Sequence, residues 1–184
     1  MSDFRKGNGA AWLDFLATQI GRYRKEQIEM LPDPEKLQTW LSEQDLAPST
    51  APDERDLLRA WKLREALHAA ASSALEQTAP SREALSAIEQ ALVADKPLQI
   101  RPSKSGLRTV RPLTAAEALA RLARSAVSDL SGPQREHLRA CADETCSGIF
   151  IDHTGRRQWC SDQLCGNRAR VRAHRERARA KKGK

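Results

Sequence analysis

Four cysteines, all that the chain contains, lie within 25 residues near its C-terminal end. Cys141 and Cys146 form one pair and Cys160 and Cys165 another, with four residues between the members of each pair. Because structural zinc sites take four soft donors in a tetrahedron, two such pairs of thiolates can bind a single ion. The spacing predicts one Zn²⁺ held by these four side chains. Disulfides, an iron–sulfur cluster or unligated buried cysteines are the alternatives.

The residues between the two pairs must fold back once to bring the cysteines together. Gly148 permits a turn, an apolar segment typical of a short strand follows it, and residues 153–156 are typical of a chain reversal. Ser161 or Asp162 can cap a following helix, which would place Cys165 in its first turn. The expected arrangement is therefore a knuckle, a hairpin and a helix.

Residues 161–182 contain no helix breaker apart from Gly166 in the first turn, so they predict a helix that is rich in arginine. Arginines spaced i, i+4, i+7 and i+11 share one face, roughly 16 Å long, which can follow phosphates or one edge of a major groove: Arg168, Arg172, Arg175 and Arg179. An apolar stripe on the same helix is formed by Leu164, Val171 and Ala178, and it is expected to pack on the zinc-binding part of the finger. A solvated C-terminal tail is the alternative.

Other residues near the cysteines are candidates for supporting roles. Arg156 and Arg157, at the predicted hairpin tip, extend the basic surface toward nucleic acid, although charged residues are also tolerated at such a tip. Trp159 and Asn167 are expected to support the metal ligands from outside the zinc shell. For Asn167 and Arg168, which closely follow the last cysteine, a bond to a carbonyl or a ligating sulfur and a contact with nucleic acid are equally expected.

The charge distribution supports a nucleic-acid partner for this segment. The chain has a net charge of +7; residues 141–184 carry 11 Lys/Arg against 5 Asp/Glu, whereas residues 1–140 carry 20 against 19. A basic surface confined to one segment is typical of a protein that binds phosphates. The chain shows no membrane-spanning run, secretory leader or catalytic motif, so we expect a cytoplasmic protein that is not an enzyme.

The residues before the cysteines predict a mainly α domain, because Ala and Leu dominate their apolar content. The first helix is expected over residues 12–23, and Asp33 is placed to cap the second. Two further helices are predicted within 52–92, the second capped by Ser81, and another from Thr114, with a short β-hairpin over 97–111 between them. Tryptophan side chains on these helices are expected in the core, with a ligand pocket as the alternative.

The sequence Cys165-Gly166-Asn167-Arg168, preceded by Trp159-Cys160 and by Phe150-Ile151-Asp152, resembles the CGNR zinc finger, a bacterial module. The residues before it resemble the ABATE domain that usually accompanies this finger. That second resemblance is carried by Leu13-Asp14-Phe15, by Pro34-Glu35-Lys36-Leu37 and by the hairpin before the last helix. The resemblance implies a treble-clef-like finger with Zn²⁺ as its cofactor.

The same resemblance divides the chain into an ABATE-like helical domain at 1–132 and a CGNR zinc finger with a basic C-terminal helix at 137–184. It implies a zinc-dependent nucleic-acid-binding protein, a bacterial transcription regulator of the stress response whose N-terminal domain senses a signal or dimerises. DNA is favoured over RNA as the partner, and a homodimer and a small-molecule effector are left open. The alternatives are an RNA-binding or ribosome-associated protein, and a small-molecule sensor whose finger binds other proteins.

Overall fold

The computed structural model describes residues 4–104 and 106–182; Ser105 of the predicted hairpin turn and the outermost residues of both predicted domains lie outside these ranges. Within them the protein is mainly α, as predicted. The helices are α1 (Ala11–Leu16), α2 (Pro34–Glu43), α3 (Glu54–Glu76), α4 (Arg82–Leu92), α5 (Ala115–Ser131) and α6 (Asn167–Lys182), with a 3-10 helix at Pro133–His137 and a π-helical turn at Asp162–Gly166. None of the described helices is long and apolar enough to cross a membrane.

The strands are short and form antiparallel pairs, each of two strands. They are β1 (Gln19–Ile20) with β2 (Ile28–Glu29), β3 (Ile100–Ser103) with β4 (Gly106–Thr109), and β5 (Leu138–Ala140) with β6 (Ile149–Ile151). The β3–β4 pair is the predicted hairpin, in which Ile100 lies opposite Thr109. Its apolar side chains Ile100 and Leu107 are exposed, so this hairpin extends from the core without contributing to it.

The 23-residue helix α3 is the centre of the N-terminal domain, and α1, α2, α4 and α5 pack against it. Asp53 and Asp56 start this helix with a capping box, in which each carboxylate accepts the backbone N–H of the other residue. Near α1 the rings of Trp12, Phe15 and Trp40 are fully buried, and the Phe15 and Trp40 ring centroids lie 5.1 Å apart. These aromatic side chains are therefore part of the hydrophobic core.

Single polar side chains start the other helices at the predicted places. Asp33, Ser81 and Thr114 each accept a hydrogen bond from the backbone N–H three residues later. Such a bond satisfies one of the amide groups that the first turn of a helix leaves unpaired. The local capping pattern in the sequence thus located α2, α4 and α5 correctly.

The first helix is shorter than predicted. The sequence predicted a helix over residues 12–23, but α1 ends at Leu16 and the next residues enter strand β1. The hydroxyl of Thr18 donates to the carbonyl of Phe15 at 2.7 Å, and Met30 N–H donates to the carbonyl of Thr18. The turn of α1 is thereby closed, and pairing with β2 replaces further helix.

The predicted zinc finger shares a hydrophobic core with the helical domain. Leu138, Ile149 and Ile151, all beyond the predicted domain boundary, are buried in the same cluster as the side chains of α1, α3 and α5. The N–H of Ile151 donates to the carbonyl of Asn8 at 2.8 Å. Gly9 has a φ of +102°, and a Cβ atom there would lie 2.7 Å from the Cβ of Ile151. The two parts therefore contact each other too closely for any larger residue at that glycine.

Candidate metal centre

The four predicted ligands meet at one point. Their sulfur atoms all lie within 4.8 Å of one another, and three of the separations are 3.5 Å (Cys160 to Cys165), 3.6 Å (Cys146 to Cys160) and 3.6 Å (Cys146 to Cys165). Four sulfurs each bound at about 2.3 Å in a tetrahedron would be separated by about 3.8 Å. The donor set therefore fits one zinc ion, and four protein ligands leave no open position for a substrate.

Backbone hydrogen bonds form the first half of the site. The N–H of Cys141 donates to the carbonyl of Gly148 at 2.8 Å, and the N–H of Cys146 donates to the carbonyl of Asp143 at 2.7 Å. The N–H of Gly148 points at the Cys146 sulfur, 3.3 Å away. A Cβ atom on Gly148 would lie 2.7 Å from the sulfur of Cys160, so the two cysteine pairs can approach only because this residue is glycine.

The four closely spaced sulfurs can all be ionised only if a cation balances their charge. Hydrogen bonds with Cys146 and Cys160 lower the pKa of Cys141, whereas hydrogen bonds with Cys141 and Cys146, together with burial, raise the pKa of Cys160. Neighbouring thiolates at these distances repel one another, so all four ionise only when a positive charge balances them. Zinc supplies this charge and requires ionised ligands, which agrees with the donor set.

The second half of the site is the start of α6. The hydroxyl of Ser161 accepts from Leu164 N–H and begins the π-helical turn, which contains Cys165 and leads directly into α6. The Cys165 side chain is fully buried. The predicted cap and the predicted position of the last ligand in the first turn are therefore both confirmed.

The loop of residues 141–148, which contains the first cysteine pair, forms the knuckle of the finger. A buried carboxylate in this knuckle, Asp143, connects it to α6. Arg168 donates to its Oδ2 through Nε at 2.9 Å, and Arg172 donates to its Oδ1 at 2.9 Å. Burial alone would raise the pKa of Asp143, but hydrogen bonds from Arg168, Thr145 and Arg172 outweigh it and lower the pKa to about 2. Arg168 Nη2 also lies 3.0 Å from the sulfur of Cys165. Asp143 is thus ionised, and it holds two arginines against the metal site.

These contacts divide the predicted arginine stripe into two parts. Arg168 and Arg172 are engaged with the knuckle, whereas Arg175 and Arg179 are exposed and make no ion pair or side-chain hydrogen bond among the described residues. Every residue of α6 from 173 to 179 is exposed. The helix therefore has an anchored first part and a free second part.

The apolar stripe predicted to pack on the zinc body does not do so. Leu164, Val171 and Ala178 are all exposed. The reason is the ion pairs of Asp143, which turn the arginine face of α6 toward the knuckle and leave the apolar stripe in solvent. The helix is held to the finger by charge as well as by its covalent link to Cys165.

Arg157 was predicted to extend the basic surface from the hairpin tip, but its guanidinium is bound within the protein. It donates to the carbonyls of Trp159, Cys160 and Gly7, and its Cζ lies 4.3 Å above the centre of the Phe150 ring. All its donor groups therefore face the finger and the N-terminal loop. The neighbouring Arg156 is exposed, and its side chain makes no hydrogen bond or ion pair among the described residues.

The two residues predicted to support the ligands differ in their placement. Trp159 packs against the cluster that contains the cysteines and Phe150. The side chain of Asn167 is exposed; it donates to the carbonyl of Gln163 and accepts from Arg170. The hydrogen bonds of the Asn167 side chain thus cross the junction of the π-helical turn and α6, and neither of them involves a sulfur.

Sequence reasoning missed the residues that hold the knuckle from the helical domain. Arg24 donates from Nε to the carbonyl of Thr145 at 3.1 Å and from Nη2 to its hydroxyl at 2.8 Å. His68 of α3 lies 3.4 Å from the carbonyl of Ser147, through Nε2. Arg24 and Thr145 are separated by 121 positions in the sequence, and His68 and Ser147 by 79. No spacing rule operates over such distances. They clamp the chain on either side of Cys146.

Comparisons with known proteins agree with this geometry. Residues 9–133 match the ABATE family, described as a putative stress-induced transcription regulator, and residues 137–178 match the CGNR zinc finger. No curated protein matches the chain. The two matched regions coincide with the helical domain and with the cysteine site, and the first spans more than half of the chain. The chain therefore belongs to the ABATE family and carries a CGNR zinc finger at its C-terminal end.

Proposed function

We propose that the protein is a zinc-dependent, DNA-binding transcription regulator of the bacterial stress response, acting in the cytoplasm. The observation that carries this proposal is the free second part of α6. Arg175, Arg177 and Arg179 lie there on an exposed helix with a single acidic residue, Glu176, among residues 173–179. Cations without carboxylate partners on a projecting helix provide charge for phosphate contacts along a duplex.

Zinc has a structural role in this proposal. The ion would tie Cys165 at the start of α6 to the two strands and the knuckle of the finger. Asp143 then fixes the orientation of the first helical turns through Arg168 and Arg172. A helix held at one end in this way presents Arg175 and Arg179 in a fixed direction, so DNA binding should depend on metal.

The exposed aromatic content supports duplex DNA over single-stranded RNA. Proteins that bind single strands commonly stack bases on exposed aromatic rings. All eight aromatic residues of the chain lie among the described residues, and Tyr23, with 62% of its surface accessible, is the one that is exposed. Tyr23 is on the helical domain and lies against His68, with ring centroids 6.4 Å apart. Among the described residues, the finger therefore offers no exposed Phe, Tyr or Trp ring for stacking, and its exposed rings are the imidazoles of His153 and His174.

The N-terminal domain would supply regulation. Its core is shared with the finger, and Arg24 and His68 hold the knuckle from the helical side. A signal that moved these residues, whether an effector or a second copy of the chain, would reach the start of the DNA-binding helix. RNA binding through the same arginines remains the second candidate function, favoured by the fact that phosphate contacts do not distinguish the two duplexes.

The free arginines give the direct test. Replacing both Arg175 and Arg179 by Ala should weaken binding of the zinc-loaded protein to duplex DNA. Each phosphate contact that is lost flattens the log–log dependence of affinity on salt by about 0.9, so the slope should fall by up to about 1.8. Fluorescence anisotropy over a series of salt concentrations measures both quantities.

Two other arginines provide the matched control. Arg55 and Arg82 are exposed on the helical domain, and their joint replacement by Ala removes the same charge. This control variant should retain the affinity and slope of the wild type. Equal affinity and slope for the Arg175/Arg179 variant would refute the DNA-binding proposal, and a loss confined to RNA duplexes would favour the second candidate.

A further inference from the structure

A small cleft lies between the helical domain and the zinc knuckle. It is formed on one side by residues 5–8, by the end of α1 and by strand β1, and on the other side by residues 145–148 and 160–161. Its volume is about 110 Å³. A cavity needs about 10–15 Å³ on this measure to hold one water molecule, so the cleft has room for a group with several oxygen atoms.

The charged residues that line this cleft all have the same sign. They are Arg5, Lys6, Arg24 and Arg168, and no carboxylate is among the lining residues. Three of them belong to the helical domain and its N-terminal loop, while Arg168 belongs to the finger. Cations that converge on a confined space raise the local concentration of anions, because the surrounding protein screens the charges less than water does.

Two of the four cations have unused hydrogen-bonding capacity. Lys6 pairs with Glu43 at 2.9 Å, and Arg168 is engaged by Asp143 and by the Cys165 sulfur. Arg5, by contrast, makes no hydrogen bond or ion pair among the described residues. Arg24 uses Nε and Nη2 on Thr145 and has no carboxylate partner in the described part of the chain, so its Nη1 is available to a ligand.

The negative charge of the metal site lies on one wall of the cleft. Cys146 and Cys160 line that wall, and a four-thiolate zinc site carries a net negative charge. Arg168 already lies on that site, where it donates to Cys165. The cations that remain for a ligand, Arg5 and Arg24, come from the opposite wall. Ser161 adds a hydroxyl that accepts from Leu164 N–H and can still donate its own proton.

We propose that this cleft binds a tetrahedral oxyanion, either free phosphate or the phosphoryl group of a small metabolite. Arginine forks match phosphate oxygens, and charge-assisted hydrogen bonds of this kind are the strongest that side chains make. The ligand would join Arg5 and Arg24 of the helical domain to the knuckle beside Cys146. Its occupancy would therefore strengthen the clamp that Arg24 already forms on Thr145, and would couple a small molecule to the finger.

Calorimetric titration of the full-length, zinc-loaded protein tests the site without any nucleic acid. Inorganic phosphate should bind saturably, and sodium chloride at matched ionic strength should not reproduce the heat. Arg5→Gln should weaken phosphate binding about tenfold or more, since it removes a charged hydrogen-bond donor. Arg5 contacts no described residue through a hydrogen bond or ion pair, so this variant should keep its fold. Arg82→Gln, which lies outside the cleft on the exposed start of α4, is the matched control.

A second titration with glycerol 3-phosphate distinguishes the two sources. Binding of both compounds identifies a phosphoryl group as sufficient, and binding of inorganic phosphate alone identifies the free ion. The proposal is overturned if neither compound binds above the chloride control, or if Arg5→Gln and Arg82→Gln bind phosphate equally well. It is also overturned if phosphate does not bind while Arg5→Gln weakens DNA binding, because the cleft would then belong to the nucleic-acid surface.

Discussion

Replacing Asp143 by Asn is the most informative single change in the zinc finger. The side chain of Asp143 is 0% exposed, while its partners Arg168 and Arg172 are 34% and 38% exposed. Asn has nearly the same size, so the substitution leaves no cavity. It removes the charge and presents an NH₂ group, which is a donor, to guanidinium groups that can only donate. Both arginine pairs and the order of the knuckle therefore depend on this one carboxylate.

The expected magnitude follows from the burial of the three groups. Removing one partner of a fully buried ion pair costs about 3–5 kcal/mol, mainly because the other charge is left without compensation. Here the two arginines are about one-third exposed and can regain water, so we expect a loss of about 2–3 kcal/mol in the free energy of unfolding. If folding of the finger is coupled to metal binding, this corresponds to roughly a 30- to 150-fold loss in apparent zinc affinity. The range is consistent with the effects of residues that orient metal ligands, about 10- to 100-fold.

Competition with a chromogenic chelator at neutral pH measures the zinc affinity, and urea unfolding with saturating zinc measures the stability. Asp162→Asn is the matched control in the same finger, since Asp162 pairs with Arg170 but is exposed and lies outside the knuckle. The control should change zinc affinity far less. If Asp143→Asn binds zinc within about twofold of the wild type, the arginine contacts do not support the metal site and the reasoning fails.

Three further predictions concern the metal site and its contact with the helical domain. Gly148→Ala should lower zinc affinity, because the new methyl group would lie 2.7 Å from the Cys160 sulfur; unchanged affinity by chelator competition would contradict this. Burial, and then the charge of Arg22, lower the pKa of His68 from 6.5 to about 4, so stability should fall as the pH drops from about 6.5 toward 4. Between pH 7.5 and pH 5, with saturating zinc, the free energy of unfolding should fall by about 2 kcal/mol less in His68→Gln than in the wild type. Denaturant titrations measure this difference, and parallel pH profiles of the two proteins would refute the prediction. A fragment of residues 1–132 lacks core side chains such as Ile149, and burial of each such side chain contributes about 2 kcal/mol to stability. The fragment should therefore melt at a lower temperature than the full chain when followed by circular dichroism. Equal melting temperatures would argue against a shared core.

Much of the metal site could be read from the sequence because it depends on local spacing. The positions of Cys141, Cys146, Cys160 and Cys165 limit how their thiols can meet, and one chain reversal between the pairs is enough. Helix starts were predictable for a similar reason, since Ser161 and the other caps bond to amides three residues away. In each case the interacting groups are close in the chain, so few alternative conformations compete.

The errors in the prediction arise where distant residues compete with a local pattern. Periodicity extended the first helix to Tyr23, but pairing between Gln19 and Glu29 placed those residues in a strand. Glu29 is in turn paired with the buried Arg64 of α3, a contact across 35 positions. Such a pair forms only after the helices have packed, and it outweighs a helical preference of a few tenths of a kcal/mol per residue.

The sequence alone indicated the four candidate metal ligands, the family and the basic character of α6. Tertiary structure decided which of its arginines are available, because the buried carboxylate of Asp143 engages Arg168 and Arg172 and leaves Arg175 and Arg179 free. All four arginines occupy the same face in the sequence pattern, so spacing gives them equal roles. Only the folded finger brings a carboxylate to two of them, because Arg24 holds its knuckle and its strands β5 and β6 pack on the core of the helical domain. The physical reason is that the energy of an ion pair depends on the burial and distance of both partners, which the fold creates.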